Sequence, residues 1–381
     1  MTLHIGIVAG EASGDILAAG LLYELRERQP ELRAEGVAGP GMIAAGCRDL
    51  WPLEKLSVMG LVEVLAHLPE LLRLRRDVVR HFSTTRPDVY IGVDAPDFNL
   101  GLESRLKRRG IRTVQYVSPS IWAWRQSRAA KIGRGTDLVL CLFPFEPEIY
   151  AKHGVNAVYV GHPLADLIPR HVDAMEARRT LELPSERKLV ALLPGSRMSE
   201  VSRLTDTFLA TAEWLRQRDP SLQFVIPAAT PGIRDWLEAR LAARRLAQDV
   251  VIVDGRSRDV MAAADVVLLA SGTAALEAML LKRPMVVSYR VSALTYFLVR
   301  LFRLLKLPYV SLPNVLAGKK IVPECLQGDA RADVLGQELL TLLQDPAASA
   351  RQTAIFDEIH DTLRCNANAR AADAVLRLAG G

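Results

Sequence analysis

Two doubly wound parallel α/β domains are what this sequence predicts, and three observations predict them. Short apolar, β-rich runs alternate with helical stretches along most of the chain. The alternation breaks after Gly161-His162-Pro163, a Pro-bearing hinge, and then restarts. At 381 residues the chain is also too long for one compact core.

In chain order, the His4–Ala9 run is apolar and β-branched and reads as a strand, and 14–28 carries helical periodicity. Residues 88–93 read as a strand, followed by a loop and a helix over 100–109. Further strands are expected over 111–117 and 137–143. The second half restarts with a strand at Leu189–Leu193 and a long helix over 199–218. Strands over 222–227, 250–253, 266–269 and 285–288 follow, with helices between, and 346–378 reads as one or two helices. The expected domains are 1–165 and 166–345. Residues 346–381 either pack back on the first domain or are exchanged with another copy. Ligands of open parallel sheets bind at the carboxyl ends of the strands, and two such sheets are expected to face each other across a cleft. The loops after strands are therefore the places to search.

Composition narrows the classes. A hydrophobic content of 50% with 24% charged residues supplies ample core and excludes disorder. No apolar run is long enough, and free enough of Arg and Lys, to span a bilayer. The start, Met1-Thr2-Leu3-His4, lacks the features of a signal peptide, so a cytoplasmic protein is expected. The four cysteines, Cys47, Cys141, Cys325 and Cys365, are scattered with no His cluster, so free thiols and no metal site are expected. A net charge of +5 suits anionic substrates or an anionic membrane surface.

Two loops in the second half suit a diphosphate. In Ala270-Ser271-Gly272-Thr273-Ala274-Ala275-Leu276-Glu277, small residues open a helix just past a buried strand. Exposed N–H groups with the helix dipole behind them attract phosphate there, unless this is an ordinary strand–helix junction. Glu277, further into the helix, suits a diol such as ribose. Leu193-Pro194-Gly195-Ser196-Arg197 repeats the pattern, with Gly195 and Ser196 exposing N–H groups and Arg197 offering a guanidinium fork for pyrophosphate. No P-loop motif is present.

Two loops in the first half suit acid–base work. Gly10 and Gly14 in Ala9-Gly10-Glu11-Ala12-Ser13-Gly14-Asp15 permit a tight turn, with Ser13 and Asp15 as helix caps. The loop is not a dinucleotide fingerprint. Gly92-Val93-Asp94-Ala95-Pro96-Asp97-Phe98-Asn99 sets two carboxylates and an amide at a strand end. Asp94, first after the strand, is the better base, and a second carboxylate nearby would raise its pKa. Asp97 or Asn99 as a plain helix cap is the alternative.

Weaker signals complete the survey. Trp122 and Trp124 form either an apolar wall for a sugar or acyl chain, or one core and one surface Trp. Asn314 and Gln327 suit contacts to a base or sugar, or loop structure alone. Residues 294–307, with Arg300, Arg303 and Lys306, and residues 58–82, with Arg73, Arg75, Arg76 and Arg80, are apolar with basic faces. Each is either a membrane-interface helix or a core or interdomain helix. His162 faces a cleft or marks the hinge.

Taken together, Gly10–Asp15, Asp94-Ala95-Pro96-Asp97-Phe98, 118–124, 193–197, 271–277, Pro313-Asn314-Val315-Leu316-Ala317-Gly318 and Arg364-Cys365-Asn366-Ala367 resemble the lipid-A-disaccharide synthases. The motifs occur in that family's order and cover nearly the whole chain. The resemblance implies a GT-B fold and an inverting glycosyltransferase with no cofactor and no metal. It would join UDP-2,3-diacylglucosamine to 2,3-diacylglucosamine 1-phosphate (lipid X) at the cytoplasmic face of the inner membrane, releasing UDP. It also implies an acceptor- and lipid-binding first half, a UDP-sugar-binding second half, copies that can dimerise by exchanging C-terminal segments, and no nucleic-acid partner. On this reading Asp94 is the base, Asp97 orients it or the acceptor, and Glu11 and Ser13 orient groups from the same side. Gly195, Ser196, Arg197, Ser271, Gly272 and Thr273 hold the diphosphate, Glu277 the ribose, and Asn314 and Gln327 the base or sugar. Trp122, Trp124, Val58, Met59 and Leu72 take acyl chains. The rival classes are a UDP-sugar 2-epimerase and a non-catalytic, membrane-associated nucleotide-sugar binder. The two apolar basic stretches favour the lipid-handling transferase.

Overall fold

The apolar runs over 4–9, 189–193, 266–270 and 285–289 form parallel strands. The computed structural model describes residues 2–56, 61–124, 126–244, 246, 248–290 and 308–380, and leaves the side chains of 61–67, 123, 124 and 126 undescribed. Val58, Met59, the Trp124 side chain and the 294–307 stretch thus lie outside the described residues. The chain divides into two units, Met1–Asp166 with Thr362–Gly381, and Leu167–Asp361.

The first unit holds β1 (His4–Ala9), β2 (Arg33–Ala38), β3 (Arg48–Pro52), β4 (Val89–Val93), β5 (Arg112–Tyr116), β6 (Leu138–Cys141) and β7 (Ala157–Tyr159). They pair in the order β3-β2-β1-β4-β5-β6-β7, all parallel. The second unit holds β8 (Leu189–Leu193), β9 (Gln223–Ala228), β10 (Val250–Asp254), β11 (Val266–Ala270), β12 (Met285–Tyr289) and β13 (Glu324–Leu326). Their order is β10-β9-β8-β11-β12-β13, again all parallel. All five residues of β4, β8 and β11 are buried, as central strands covered by helices on both faces require.

Both orders reverse direction at one place, between β1 and β4 and between β8 and β11. The helices leaving such a pair cover opposite faces, so a crevice opens past the carboxyl ends. The registers align those ends, with Ala9 opposite Val93 and Leu269 opposite Leu193.

Three local expectations need correction. Asp15 does not cap its own helix, Ala12–Arg28. It is buried in the first turn and accepts from Gly39, Gly41 and Met42 N–H at 3.1, 2.8 and 3.0 Å, tying down the loop after β2. The helix expected at 100 begins at Pro96, because Ala95 turns left-handed and proline suits the first helical position. Asn99 therefore lies within the helix and does not cap it. Strands β2 and β3 escape the sequence reading because they are polar. In β2, Glu35 is buried among His4, His81 and Arg33.

The C-terminal segment forms two helices, Pro346–Leu363 and Ala367–Gly380. The second packs on Ala12–Arg28, where Arg28 Nε meets Asp373 at 3.1 Å and Asn368 fills the space a side chain at Gly20 would need. Among the described residues, no helix is long and apolar enough to cross a membrane.

Candidate active site

The two crevices gather most of the residues that sequence reasoning singled out. In the second unit a cavity of about 460 Å³ lies past the ends of β8 and β11. Gly195, Ser196, Arg197, Ser271, Gly272, Thr273 and Glu277 all line it. Gly195 has φ 139°, and a Cβ there would meet the Glu200 side chain at 2.5 Å, so this turn admits only glycine. Ser196 N–H donates to Glu200 Oε2 at 3.3 Å. Arg197 is the exposed N-cap residue of the helix Met198–Arg216. Gly272 is the N-cap residue of Thr273–Leu280, whose first-turn N–H groups open toward the cavity.

Glu277 is mostly buried, and its Oε1 accepts from Arg258 Nε at 2.6 Å. This leaves the second carboxylate oxygen for a ligand hydroxyl and fixes the side chain's direction. Sequence reasoning missed a third cavity loop, Gly255-Arg256-Ser257 after β10. Its signal was present, since a strand, a glycine and a helix, Ser257–Ala263, follow one another as at 195 and 272. Arg256 adds a second cation, steadied by Asp259 at 2.8 Å.

The loop after β12 behaves otherwise. Asn314 is fully buried, its amide donates to Val322 O and Glu324 Oε1, and its oxygen accepts from Ile321 and Val322 N–H. No hydrogen-bonding capacity remains for a base or sugar, so Asn314 shapes the loop, and the expected ligand contact is corrected. Gln327 is half-buried with φ 50°, and its carbonyl accepts from Arg290.

In the first unit the loops after β1 and β4 touch. A Cβ at Gly10 would stand 2.2 Å from the Ala95 methyl, so the two backbones approach as closely as glycine allows. Glu11 is the N-cap residue of Ala12–Arg28 and Ser13 lies exposed in its first turn. Asp94 is half-buried, and burial raises its pKa. The second carboxylate expected to do this does not. Asp97 is exposed and lines a separate cavity, of about 720 Å³, with Arg105, Arg108, Arg128, Lys131 and Arg134.

Beneath Asp94, β4 offers Gly92. A Cβ there would strike Glu103 Oε1 at 2.5 Å and Asn99 Cβ at 2.7 Å, so the bare strand lets the polar side of the helix Pro96–Lys107 lie against it. Glu103 is fully buried, bonded to Thr136, and burial pushes its pKa up to about 8.

Trp122 is half-buried, edge-on to Phe145 at 5.6 Å, and bonded to Glu146. Leu72 is 45% exposed and Leu68 43% exposed on the helix Leu61–Thr85. His162 is buried against Phe143, and its Nδ1 accepts from Leu164 N–H at 3.2 Å. All four cysteines are free thiols. Among the described residues, no group of three or more His, Cys, Asp or Glu side chains is arranged to hold a metal ion.

Burial lowers the His162 pKa to about 4. The unfolded chain takes up a proton below about pH 6.5 that the folded chain refuses until about pH 4. Stability therefore falls across that window. Urea unfolding at pH 7 and 4.5 checks this, and His162→Gln is expected to reduce the difference by about 2 to 3 kcal/mol.

Comparison with known proteins assigns the family. The family model described as lipid-A-disaccharide synthetase matches residues 5–377. The lipid-A-disaccharide synthase of Pseudomonas paraeruginosa is 52% identical over 376 residues, covering 99% of this chain and 98% of the relative. That of Alkalilimnicola ehrlichii is 51% identical over 381 residues, covering 100% and 99%. Among solved structures, the UDP-GlcNAc 2-epimerase of Neisseria meningitidis bound to UDP-GlcNAc aligns with a TM-score of 0.64 at 12% identity, covering 99% of both chains. A ugt transferase from Siraitia grosvenorii in complex with UDP aligns with 0.65 at 11%, covering 99% of this chain and 100% of that one. Those likenesses establish the GT-B fold, which epimerases and transferases share, and so do not separate the two classes. The match along nearly the whole chain does separate them: this chain belongs to the lipid-A-disaccharide synthetase family of glycosyltransferases.

Proposed function

We propose that this chain carries out its family's glycosyl transfer with Asp94 as general base and the β8–β11 crevice as the diphosphate site. The acceptor 6-hydroxyl of lipid X attacks the anomeric carbon of UDP-2,3-diacylglucosamine. The bond from that carbon to the diphosphate breaks, UDP leaves, and the hydroxyl proton passes to Asp94. Configuration inverts. Arg197, Gly195, Ser196 and the helix mouth at Ser271, Gly272 and Thr273 stabilise charge on the departing diphosphate. The free oxygen of Glu277 accepts from the ribose, and Gln327 stands near the base or sugar. Glu11 and Ser13 orient groups around Asp94. The first unit thus takes the acceptor and the second the UDP-sugar.

The observation that carries the reading is Asp94 itself, an acid lifted by burial at the switch point of its sheet. A base so tuned is stronger than an exposed carboxylate. Asp94→Asn is expected to lower kcat about a thousandfold with the donor KM unchanged. Arg197→Ala is expected to raise the donor KM about tenfold or more. UDP release is measured from UDP-2,3-diacylglucosamine with and without lipid X, and occurs only when both are present. Near-normal turnover in a folded Asp94→Asn enzyme overturns the base, and UDP release from donor alone overturns the transfer.

Membrane contact at the cytoplasmic face of the inner membrane completes the proposal. The helix Leu61–Thr85 exposes Leu68 and Leu72 beside Arg73, Arg76 and Arg80, and a basic groove adjoins it at Arg105, Arg108 and Arg109. Apolar side chains then enter the interface while guanidinium groups meet lipid phosphates. On this proposal Trp122, Trp124, Val58 and Met59 take acyl chains, and 294–307 also meets the membrane. Exchange of C-terminal segments between two copies belongs to the same reading. Leu68→Ser with Leu72→Ser is expected to reduce sedimentation with phosphatidylglycerol vesicles severalfold, and unchanged sedimentation overturns this contact.

A further inference from the structure

The backbone that carries Asp94 is held in an unfavourable shape. Asp94 and Ala95 stand at φ 53° and 41°, consecutive left-handed residues of which neither is glycine. Val117, at the end of neighbouring β5, stands at φ 77°. For a β-branched residue that is rarer still. Something must over-determine these turns.

Two fully buried amides do so. Asn99 Nδ2 donates to the carbonyls of Asp94 at 3.0 Å, Val8 at 3.3 Å and Val93 at 3.4 Å. Its oxygen accepts from Tyr90 Oη at 3.1 Å, which fixes which way the amide faces. Gln115 Nε2 donates to the carbonyls of Val117 at 3.1 Å, Asp94 at 3.3 Å and Tyr116 at 3.3 Å. Both amides thus converge on one carbonyl, that of Asp94, and Gln115 also reaches the left-handed Val117. Gly10 leaves the space into which the Ala95 methyl is pressed.

We propose that Asn99 and Gln115 are positioning residues for glycosyl transfer, holding the left-handed turn that sets the direction of the Asp94 carboxylate. This rests on Asp94 being the base. Without these amides the turn relaxes toward ordinary backbone, and the carboxylate swings away from the hydroxyl it must reach. Neither amide touches substrate, so donor binding is untouched.

A double-mutant cycle tests this in the full-length enzyme. Asn99→Ala and Gln115→Ala are each made in the native background and in Asp94→Asn, with kcat, donor KM and thermal midpoint measured for all. In the native background, Asn99→Ala is expected to lower kcat about 10- to 100-fold with donor KM unchanged. In the Asp94→Asn background the same change is expected to cost less than about twofold, since nothing is left to aim. Adding Ala95→Gly to Asn99→Ala is expected to recover part of kcat, because glycine adopts the left-handed turn freely. Equal loss in both backgrounds, or native kcat in a folded Asn99→Ala enzyme, overturns the positioning role while leaving the base intact. Near-normal turnover of Asp94→Asn overturns the base and this proposal with it. Should Asn99→Ala fail to fold, the Gln115→Ala arm decides by the same criteria.

Discussion

A parallel sheet whose strand order reverses leaves a gap that no helix fills, and both units of this protein are built around that gap. Between β1 and β4, and again between β8 and β11, neighbouring strands send their chains to opposite faces. The loops that leave each pair start level and diverge. Glycines cluster there for a steric reason. Gly10 admits Ala95, and Gly195 admits Glu200, at distances no side chain would survive.

The same geometry is put to opposite electrostatic use in the two units. The second crevice gathers helix N-termini and two arginines beside Glu200 and Glu277. Two helices open toward it, at Met198 and Thr273, and Arg197 and Arg256 stand at its rim. The one carboxylate expected to serve a ligand, Glu277, is steadied by Arg258 rather than by burial alone. The first crevice is built the other way. Its acid stands where desolvation makes it more basic, and its nearest support is a layer of neutral amides. Developing anion and departing proton need different surroundings, and each unit offers one of them.

The sequence shows the scaffold more readily than the chemistry. β1 and β8 begin and end where their apolar runs do, because a central strand buried on both faces is written as an unbroken apolar run. β2 and β3 are not legible, since Arg33, Glu35 and Arg48 spoil the pattern, and only the fold brings His4 and His81 to Glu35. The two loops proposed to hold the diphosphate are visible through a repeated strand, glycine and helix. The third copy of that pattern, at Gly255, was equally visible and was passed over. Asn99 and Asn314 illustrate the reverse failure. Each is an amide in a promising loop, yet each is engaged by bonds within the protein. Spacing along the chain reports which residue type is present but not whether its hydrogen-bonding capacity is already used.

Asp94 also shows why the cause of a pKa shift matters as much as its direction. Had a neighbouring carboxylate raised it, the pair would share a proton, and the base would depend on the charge state of its partner. Burial makes no such demand. It follows here from close packing, with Gly10 against Ala95 on one side and the helix Pro96–Lys107 laid on Gly92 below. On that helix Glu103 is also raised by burial, and it accepts from Thr136. The exposed Asp97 then belongs with the cations of its own cavity rather than with Asp94. The basicity of the site is thus a property of its packing, and a substitution that loosens the backbone at Gly10, Gly92 or Ala95 acts on the proton as surely as one at Asp94.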